Sequence, residues 1–477
     1  MYFLQKGSLF TSKLLVYIGL LFFMGISVIS FWNTIPFFST KLHLVIALVV
    51  AFAGIMIISH VLTSFMTRKQ FLIMLVVVAA SLRVGWIYSI DTQPVSDFAD
   101  MYNAAILAAS GDFSFGETEY FMKWVYQIGF TMYEALIIKL FGTPIIVLKL
   151  FNVLFSVGTG VLLYFIAAKI FNEFCARIAS FLYALYVPYI IMCSVLTNQH
   201  LSTFLFLMGC YLLVDKGLAV KYNWLFIGLC FGLGHIIRPL GSFYIVGFIV
   251  YIVLFQIVPL VKQVGVLPFF KRMVGVIAVF YVVQQIVSYS FIGAGITKYP
   301  LINQEPYWKF MVGLNQQSNG GWSQQDVQYS EQYELGEERN EAQLQLLKER
   351  LEDKSQLLPL FARKMAIMWG TEDSAVFWSL IDMDKSDLRL FLTQIERITY
   401  ILMAIFGVIA FLAWPRTSPN PGGMLFLILL AGYALLHVVI EVQTRYRLDI
   451  LPSVILLQSF GIYILYSWKT IYKKNGY

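Results

Sequence analysis

The chain has 477 residues, of which 59% are hydrophobic and 13% are Asp, Glu, Lys or Arg. A soluble domain of ordinary composition carries roughly 25% charged and roughly 45–50% apolar residues. The imbalance excludes a typical cytosolic enzyme, a disordered scaffold, a secreted disulfide module and a protein with one membrane anchor. The net charge of +7 is therefore weighed against membrane topology before any nucleic-acid partner is considered.

Lys6 and Lys13 precede the apolar run 14–31. That run is too long for a signal-peptide core and lacks a clear small-residue cleavage site, which predicts a retained first span. A membrane helix needs about 20 apolar residues, and scanning on that basis predicts twelve spans. They cover 14–33, 42–64, 71–90, 145–170, 176–196, 200–214, 223–237, 240–260, 273–293, 398–414, 423–441 and 448–468. Three segments between them are not membrane: 91–127, the amphipathic stretch 128–143, and 294–395. Cys175, Cys193, Cys210 and Cys230 lie in or beside apolar runs and show no Cys-x-x-Cys spacing. They read as small core residues.

Orientation follows from Lys and Arg near the span ends. With the N-terminus inside, the inner segments hold Lys6, Lys13, Arg68, Lys69, Lys169, Arg177, Lys216, Lys221, Lys262, Lys271, Arg272, Arg416, Lys469, Lys473 and Lys474, against only Glu173 and Asp215. Both termini are expected in the cytoplasm, and 91–143 and 294–395 outside. Fifteen of the 27 acidic residues fall in 294–395, beside ten basic ones. A connection this long exceeds a simple linker. Its stretch 331–354 has Leu344, Leu347 and Leu351 at helical spacing and predicts a small helical cap. The chain thus divides into a transmembrane module 1–293 with outer loop 91–143, an outer loop domain 294–395, and C-terminal spans 396–477. No internal repeat is visible, which weakens a secondary transporter without removing it.

The first outer segment carries Asp97 and Asp100, which share a face if the turn is helical. Ser96 could cap that helix, and an acid at a helix N-terminus is also explained by the dipole. Arg83 lies within span 3, where an arginine is expensive and faces a polar cavity, a partner or the lipid phosphates. Further polar groups gather at the same depth: Asn198, Gln199 and His200 before span 6, His235 and Arg238 ending span 7, and Tyr446 and Arg447 after span 11. His437, Glu441 and Arg445 are spaced i, i+4, i+8, so one helical face could carry all three. Their plainer reading is an interfacial salt-bridge ladder.

The order Leu82-Arg83, then Ser96-Asp97-Phe-Ala-Asp100-Met-Tyr102, then Leu140-Phe141-Gly142 resembles the GT-C membrane glycosyltransferases. The nearest subgroup in pattern is the protein O-mannosyltransferase-like family (glycosyltransferase family 39), which includes bacterial lipid A aminoarabinose transferases. Further matches are Lys149-Leu-Phe-Asn152, Ala176-Arg-Ile-Ala179 with Tyr186-Val-Pro188, Gly228 to Gly232 with Arg238-Pro239, and Arg445-Tyr446-Arg447 with Pro452. The resemblance spans about 70–450. It departs from the family in spreading the usual adjacent acidic pair to Asp97 and Asp100. It departs again in placing Asn198-Gln199-His200 where an acid often precedes span 6.

The resemblance implies an all-α polytopic plasma-membrane protein, about twelve spans, of bacterial type. Its implied activity is inverting transfer of a sugar from a polyprenyl-phosphate donor to an envelope lipid, glycan or protein acceptor on the outer face. Asp97 would be the base, with Asp100 second. A phosphate-borne sugar already has a good leaving group, so the chemistry asks for a base and for cations on the phosphate. Arg83, Lys123, Arg238, Arg445 and Arg447 are candidates for the cations. Tyr102, His200, Glu441, Tyr446 and Trp322 are candidates for the sugar or acceptor, and Trp86, Trp124 and Trp308 could also stack on sugars or form an interfacial belt. No cofactor is demanded, although a divalent metal could supply some positive charge. Nucleic acid is not expected as a partner; membrane lipid is. The segment from Pro306 through Lys309 to Trp322 is rich in turns and aromatics and receives no reaction role. A twelve-span transporter or flippase, and a polysaccharide polymerase using a lipid diphosphate, remain the alternatives.

Overall fold

The computed structural model describes residues 2–257, 266–417 and 420–474, and these residues are helical with no β-strand among them. Eight helices among them are long and apolar enough to cross a membrane. They lie within α1 (Tyr2–Thr34), α2 (Lys41–Ser64), α3 (Arg68–Ser89), α7 (Ile145–Ile170), α13 (Leu267–Gly293), α19 (Ser386–Thr417), α20 (Gly422–Val439) and α21 (Leu451–Lys474). A ninth span is broken into α8 (Glu173–Leu185) and α9 (Val187–Ile191), which with the following turn is bent by 58°. Nine of the twelve predicted spans correspond to these elements. The other three are shorter helices: α10 (Gln199–Asp215), α11 (Asn223–Ile237) and α12 (Gly241–Tyr251). The predicted span 240–260 ends at 258–260, outside the described residues, and Lys262 lies outside them as well.

Local sequence sets the ends of these helices. Thr67 and Gln70 form a reciprocal capping box at the start of α3, and Asn172 accepts the Cys175 N–H at 2.9 Å to open α8. Between α3 and α7 run α4 (Asp97–Ser110), the short α5 (Glu119–Lys123) and the amphipathic α6 (Ile128–Phe141). Gly111, at φ +90°, ends α4 in the left-handed conformation that glycine adopts without a Cβ penalty. The segment between α13 and α19 holds α14 (Trp308–Gly313), α15 (Gln324–Ser330), α16 (Glu337–Glu352), α17 (Lys354–Gly370) and α18 (Ala375–Ser379).

Within that segment α16 buries a different face from the one its leucines predict. Leu351 is 42% exposed, whereas Arg339 and Gln343 are buried. Arg339 pairs with Glu119 and Glu305, and Arg350 with Asp326. The helix is held by ion pairs, and Trp308, Met311 and Val312 form a small separate core beside it.

The break in the ninth span explains Arg83. Pro188 has no N–H for the carbonyl four residues back, that of Ala184, so the helix opens at extended Tyr186. Arg83 is completely buried. Its Nη1 donates to the Ala184 carbonyl at 3.0 Å and its Nη2 to the Tyr183 carbonyl at 3.3 Å. Nε donates to Ser156 at 2.8 Å. The arginine faces neither lipid phosphate nor a cavity; it satisfies the Ala184 carbonyl that the proline leaves without a helical donor, and is a second donor to the Tyr183 carbonyl, which also accepts from the Tyr186 N–H at 3.4 Å.

Candidate functional site

A cavity of ≈ 570 Å³ lies where the segments 91–143 and 294–395 meet the ends of α10, α11 and α20. Two close approaches build its walls. A Cβ at Gly129 would sit 2.1 Å from the Ile236 carbonyl oxygen, so the glycine lets α6 dock against the end of α11 beside Arg238. A Cβ at Gly313 would sit 2.4 Å from the Val439–Ile440 backbone, so α14 abuts the end of α20. Lys364 fastens the second joint, its Nζ donating to the carbonyls of Gly313, Val438 and Ile440 at 2.6, 2.7 and 3.0 Å.

Asp97 reaches the cavity from the first turn of α4. Ser96 occupies the N-cap position but makes no side-chain capping bond; it sits instead at φ +53°, a strained conformation for a non-glycine residue. The Asp97 carboxylate forms no hydrogen bond or ion pair among the described residues. Asp100 lies one turn further on, exposed and off the cavity wall. Burial raises its pKa, and repulsion from Asp97 raises it further.

Arg238, at the end of α11, is locked in place. Its Nη2 and Nε donate to Asp449 at 2.8 and 3.2 Å, and Nη1 to Asn198 at 2.8 Å. Asp449 is buried and also accepts from Gln199 and Tyr433 at 3.1 Å each. Lys123, the second cation of the wall, is paired with Glu119 at 2.7 Å.

Glu441 and Arg445 both line the cavity, but not as one helical face. The helix α20 stops at Val439, and Ile440 and Gln443 have extended backbones. Alternate residues of an extended chain point the same way. Glu441 and Gln443 accordingly face the cavity together while Val442 is buried, and Arg445 joins them from the first turn of the 3-10 helix Thr444–Asp449. Gln443 links the other two, donating to Glu441 at 2.7 Å and accepting from Arg445 Nε at 2.8 Å. The Arg445 guanidinium lies over Trp378, Phe98 and Tyr446 at 4.8, 5.2 and 5.6 Å. His437 stays in the helix, buried, with its Nδ1 donating to the Tyr433 carbonyl at 2.9 Å.

The sequence-derived candidates therefore separate. Asp97, Lys123, Arg238, Trp322, Glu441, Arg445 and Tyr446 share the cavity wall. Arg83 does not reach it, for the reason given above. Arg447 is fully buried and donates to the carbonyls of Thr371 and Thr444 at 2.9 and 3.2 Å, with Asp373 at 3.5 Å. Tyr102 donates to the Thr143 carbonyl at 2.7 Å, joining α4 to the end of α6. His200 donates from Nε2 to the Met192 carbonyl at 3.0 Å and lies off the main cavity. Sequence reasoning assigned no role to Lys309, Gln443, Asp449 or Tyr126. Tyr126 faces the cavity, and burial, followed by the negative potential of Tyr446 and Asp97, raises its pKa. Among the described residues no group of three or more His, Cys, Asp or Glu could hold a metal ion.

Residues 129–285 match the family model described as dolichyl-phosphate-mannose-protein mannosyltransferase. That match contains Asn198 and Arg238 but neither Asp97 nor the cavity residues beyond α13. The crystal structure of the apo Archaeoglobus fulgidus oligosaccharyltransferase superposes with a TM-score of 0.51 at 10% identity, over 86% of this chain and 52% of that one. The archaeal oligosaccharyltransferase AglB from the same organism, in complex with an inhibitory peptide and a dolichol-phosphate, gives 0.48 at 11% over 85% and 51%. ArnT from Cupriavidus metallidurans, bound to undecaprenyl phosphate, gives 0.37 at 13% over 83% and 78%. The chain spans about half the length of the two archaeal structures. Comparison with curated proteins gives no match. The resemblance to GT-C glycosyltransferases is thus met by a family match through the middle of the chain, and the fold is of that polytopic class.

Proposed function

We propose that the cavity transfers a sugar from a polyprenyl-phosphate donor to an acceptor on the outer face of the plasma membrane, with inversion at the sugar. The observation that carries this reading is the meeting of an unpaired carboxylate, Asp97, with a fixed guanidinium, Arg238, in one cavity at the loop-rich end of an apolar bundle. The acceptor hydroxyl gives its proton to Asp97 as its oxygen bonds to the sugar C1. The C1–O bond to phosphate breaks, its electron pair stays on the phosphate oxygen, and cations stabilise the charge that develops there. Trp322 and Tyr446 provide faces for a sugar ring, and Glu441 an acceptor for its hydroxyls.

The family match supports the donor class, since the model it matches is named for a dolichyl-phosphate-mannose enzyme. Neither that match nor the fold favours the transporter reading. The test compares envelope glycans and lipids by mass spectrometry with and without the gene, complemented by wild type or Asp97→Asn. One missing sugar, restored by wild type alone, is expected. Restoration by Asp97→Asn would remove the base from the proposal.

A further inference from the structure

We propose that Lys309, supplied by the segment between α13 and α19, is a direct ligand of the donor phosphate and of the lipid phosphate left after transfer. This rests on the lipid-phosphate reading and goes further, because sequence reasoning assigned Lys309 no part in the reaction.

Several of the cavity's charges already have partners. Arg238 has Asp449 at 2.8 Å, and Lys123 has Glu119 at 2.7 Å. Glu305 is engaged by Arg339 at 3.3 Å. Arg445 has no carboxylate partner; its Nε is taken by the neutral amide of Gln443. Lys309 has still less: its Nζ makes no hydrogen bond or ion pair among the described residues, and lies 5.5 Å from the Tyr446 ring centre. Burial holds its pKa down; Glu441 and, more weakly, Asp97 work against that, while Arg238 and Arg445 add to it. A lysine held near two arginines without a carboxylate in contact is electrostatically costly. An anion bound among them removes the cost.

Its backbone is fixed so that this placement is not accidental. The Glu441 N–H donates to the Lys309 carbonyl at 2.8 Å, and the Val442 N–H to the Gly320 carbonyl at 2.8 Å. The Lys364 bonds to Gly313, Val438 and Ile440 hold the same joint from behind. The side chain is therefore carried on an anchored main chain while its ammonium stays unbound.

The reaction gives such a cation a specific task. The donor is a phosphodiester with one negative charge. Breaking its C1–O bond leaves a phosphate monoester, which carries ~1.5 to 2 negative charges near neutral pH. Lys309 and Arg445, the two cations without carboxylates, match the charge that appears on the leaving group. Interactions that strengthen as the bond breaks are those that accelerate the step.

The experiment titrates the purified full chain in detergent with undecaprenyl phosphate and, separately, with uncharged undecaprenol. Wild type is expected to bind the phosphate and not the alcohol. A charge-assisted hydrogen bond is worth enough for Lys309→Gln to weaken phosphate binding by about tenfold or more, with Lys309→Arg within about threefold of wild type. Lys298→Gln removes the same unit charge from an exposed lysine paired with Glu117 and is expected to leave affinity unchanged. Melting temperatures report that each variant is folded. Lys309→Gln binding undecaprenyl phosphate as tightly as Lys298→Gln would overturn the inference alone. Equal binding of phosphate and alcohol by wild type would overturn the donor class itself, and the role of Lys309 with it.

Discussion

The bundle interior and the cavity both hold cations, and their partners are different in kind. In the interior Arg83, Arg397 and Arg447, and at the joint behind the cavity wall Lys364, are buried against backbone carbonyls at helix ends and breaks: Tyr183 and Ala184, Gly370, Thr371, and Val438 with Ile440. In the cavity, the side chains of Arg238, Lys309 and Arg445 touch no backbone carbonyl; they face side chains or aromatic rings. An arginine in an apolar run is thus no pointer to a substrate by itself. What separates the two uses is whether a nearby helix end leaves carbonyls without donors. Arg83 follows from Pro188, two spans away in sequence, and the cavity cations follow from no such break.

The sharpest way to break this contrast is to remove one member of each set. Asp97→Asn is expected to lower transfer by about 10³-fold, within the range for a lost general base. Its melting temperature should not change, because the carboxylate makes no bond in the folded chain. Initial rates and thermal melts check both halves. Arg83→Met should do the reverse. Leaving the Pro188 break uncapped is expected to cost about 3 kcal/mol of stability, seen as a lower thermal midpoint. Undecaprenyl phosphate affinity of the folded fraction should be unchanged.

Gln443→Leu sharpens the contrast within the cavity. It removes both hydrogen bonds that order Glu441 and Arg445, and transfer should fall by about tenfold through misplacement. Melting should shift little. A variant with wild-type kinetics would show that the extended 440–443 segment needs no internal brace.

Asp100→Asn has the smallest expected effect. Transfer should stay within about threefold, since Asp100 lies off the cavity wall. Its folded-state pKa is raised by burial and then by Asp97, so at pH 7 the ionised side chain costs stability relative to the unfolded chain. Asparagine removes that cost and should stabilise by at most about 0.5 kcal/mol, the group being solvent-screened. The gain should vanish below the ordinary value of 3.8, where the native carboxyl is neutral in both states. Thermal melts across pH 3–8 follow it.

Apolar run length made most of the bundle legible, because span length is a one-dimensional property of the chain. It drew α10 and α11 at close to their true short lengths, overran α12, and passed over the bend that Pro188 makes. Asp97, Arg238, Glu441 and Arg445 could be picked out as charges at span ends. Their grouping was only partly legible: the i, i+4, i+8 spacing of His437, Glu441 and Arg445 suggests a helix, but the chain turns extended at Ile440. Asp449 left one trace, a lone acid between Leu448 and Ile450 at the start of the last span. Lys309 left none, since its importance lies in what it is not paired with, and that is decided by how residues from other segments are already engaged.

The central claim is that a lipid phosphate binds among cations that no backbone carbonyl has claimed. The most direct measurement is an experimental structure of the full chain with undecaprenyl phosphate bound. The expected result places the phosphate within hydrogen-bonding distance of Lys309 and of Arg238 or Arg445, with Asp97 facing the same space. A phosphate seated at Arg272 or Arg416, at the opposite end of the bundle, would contradict the claim.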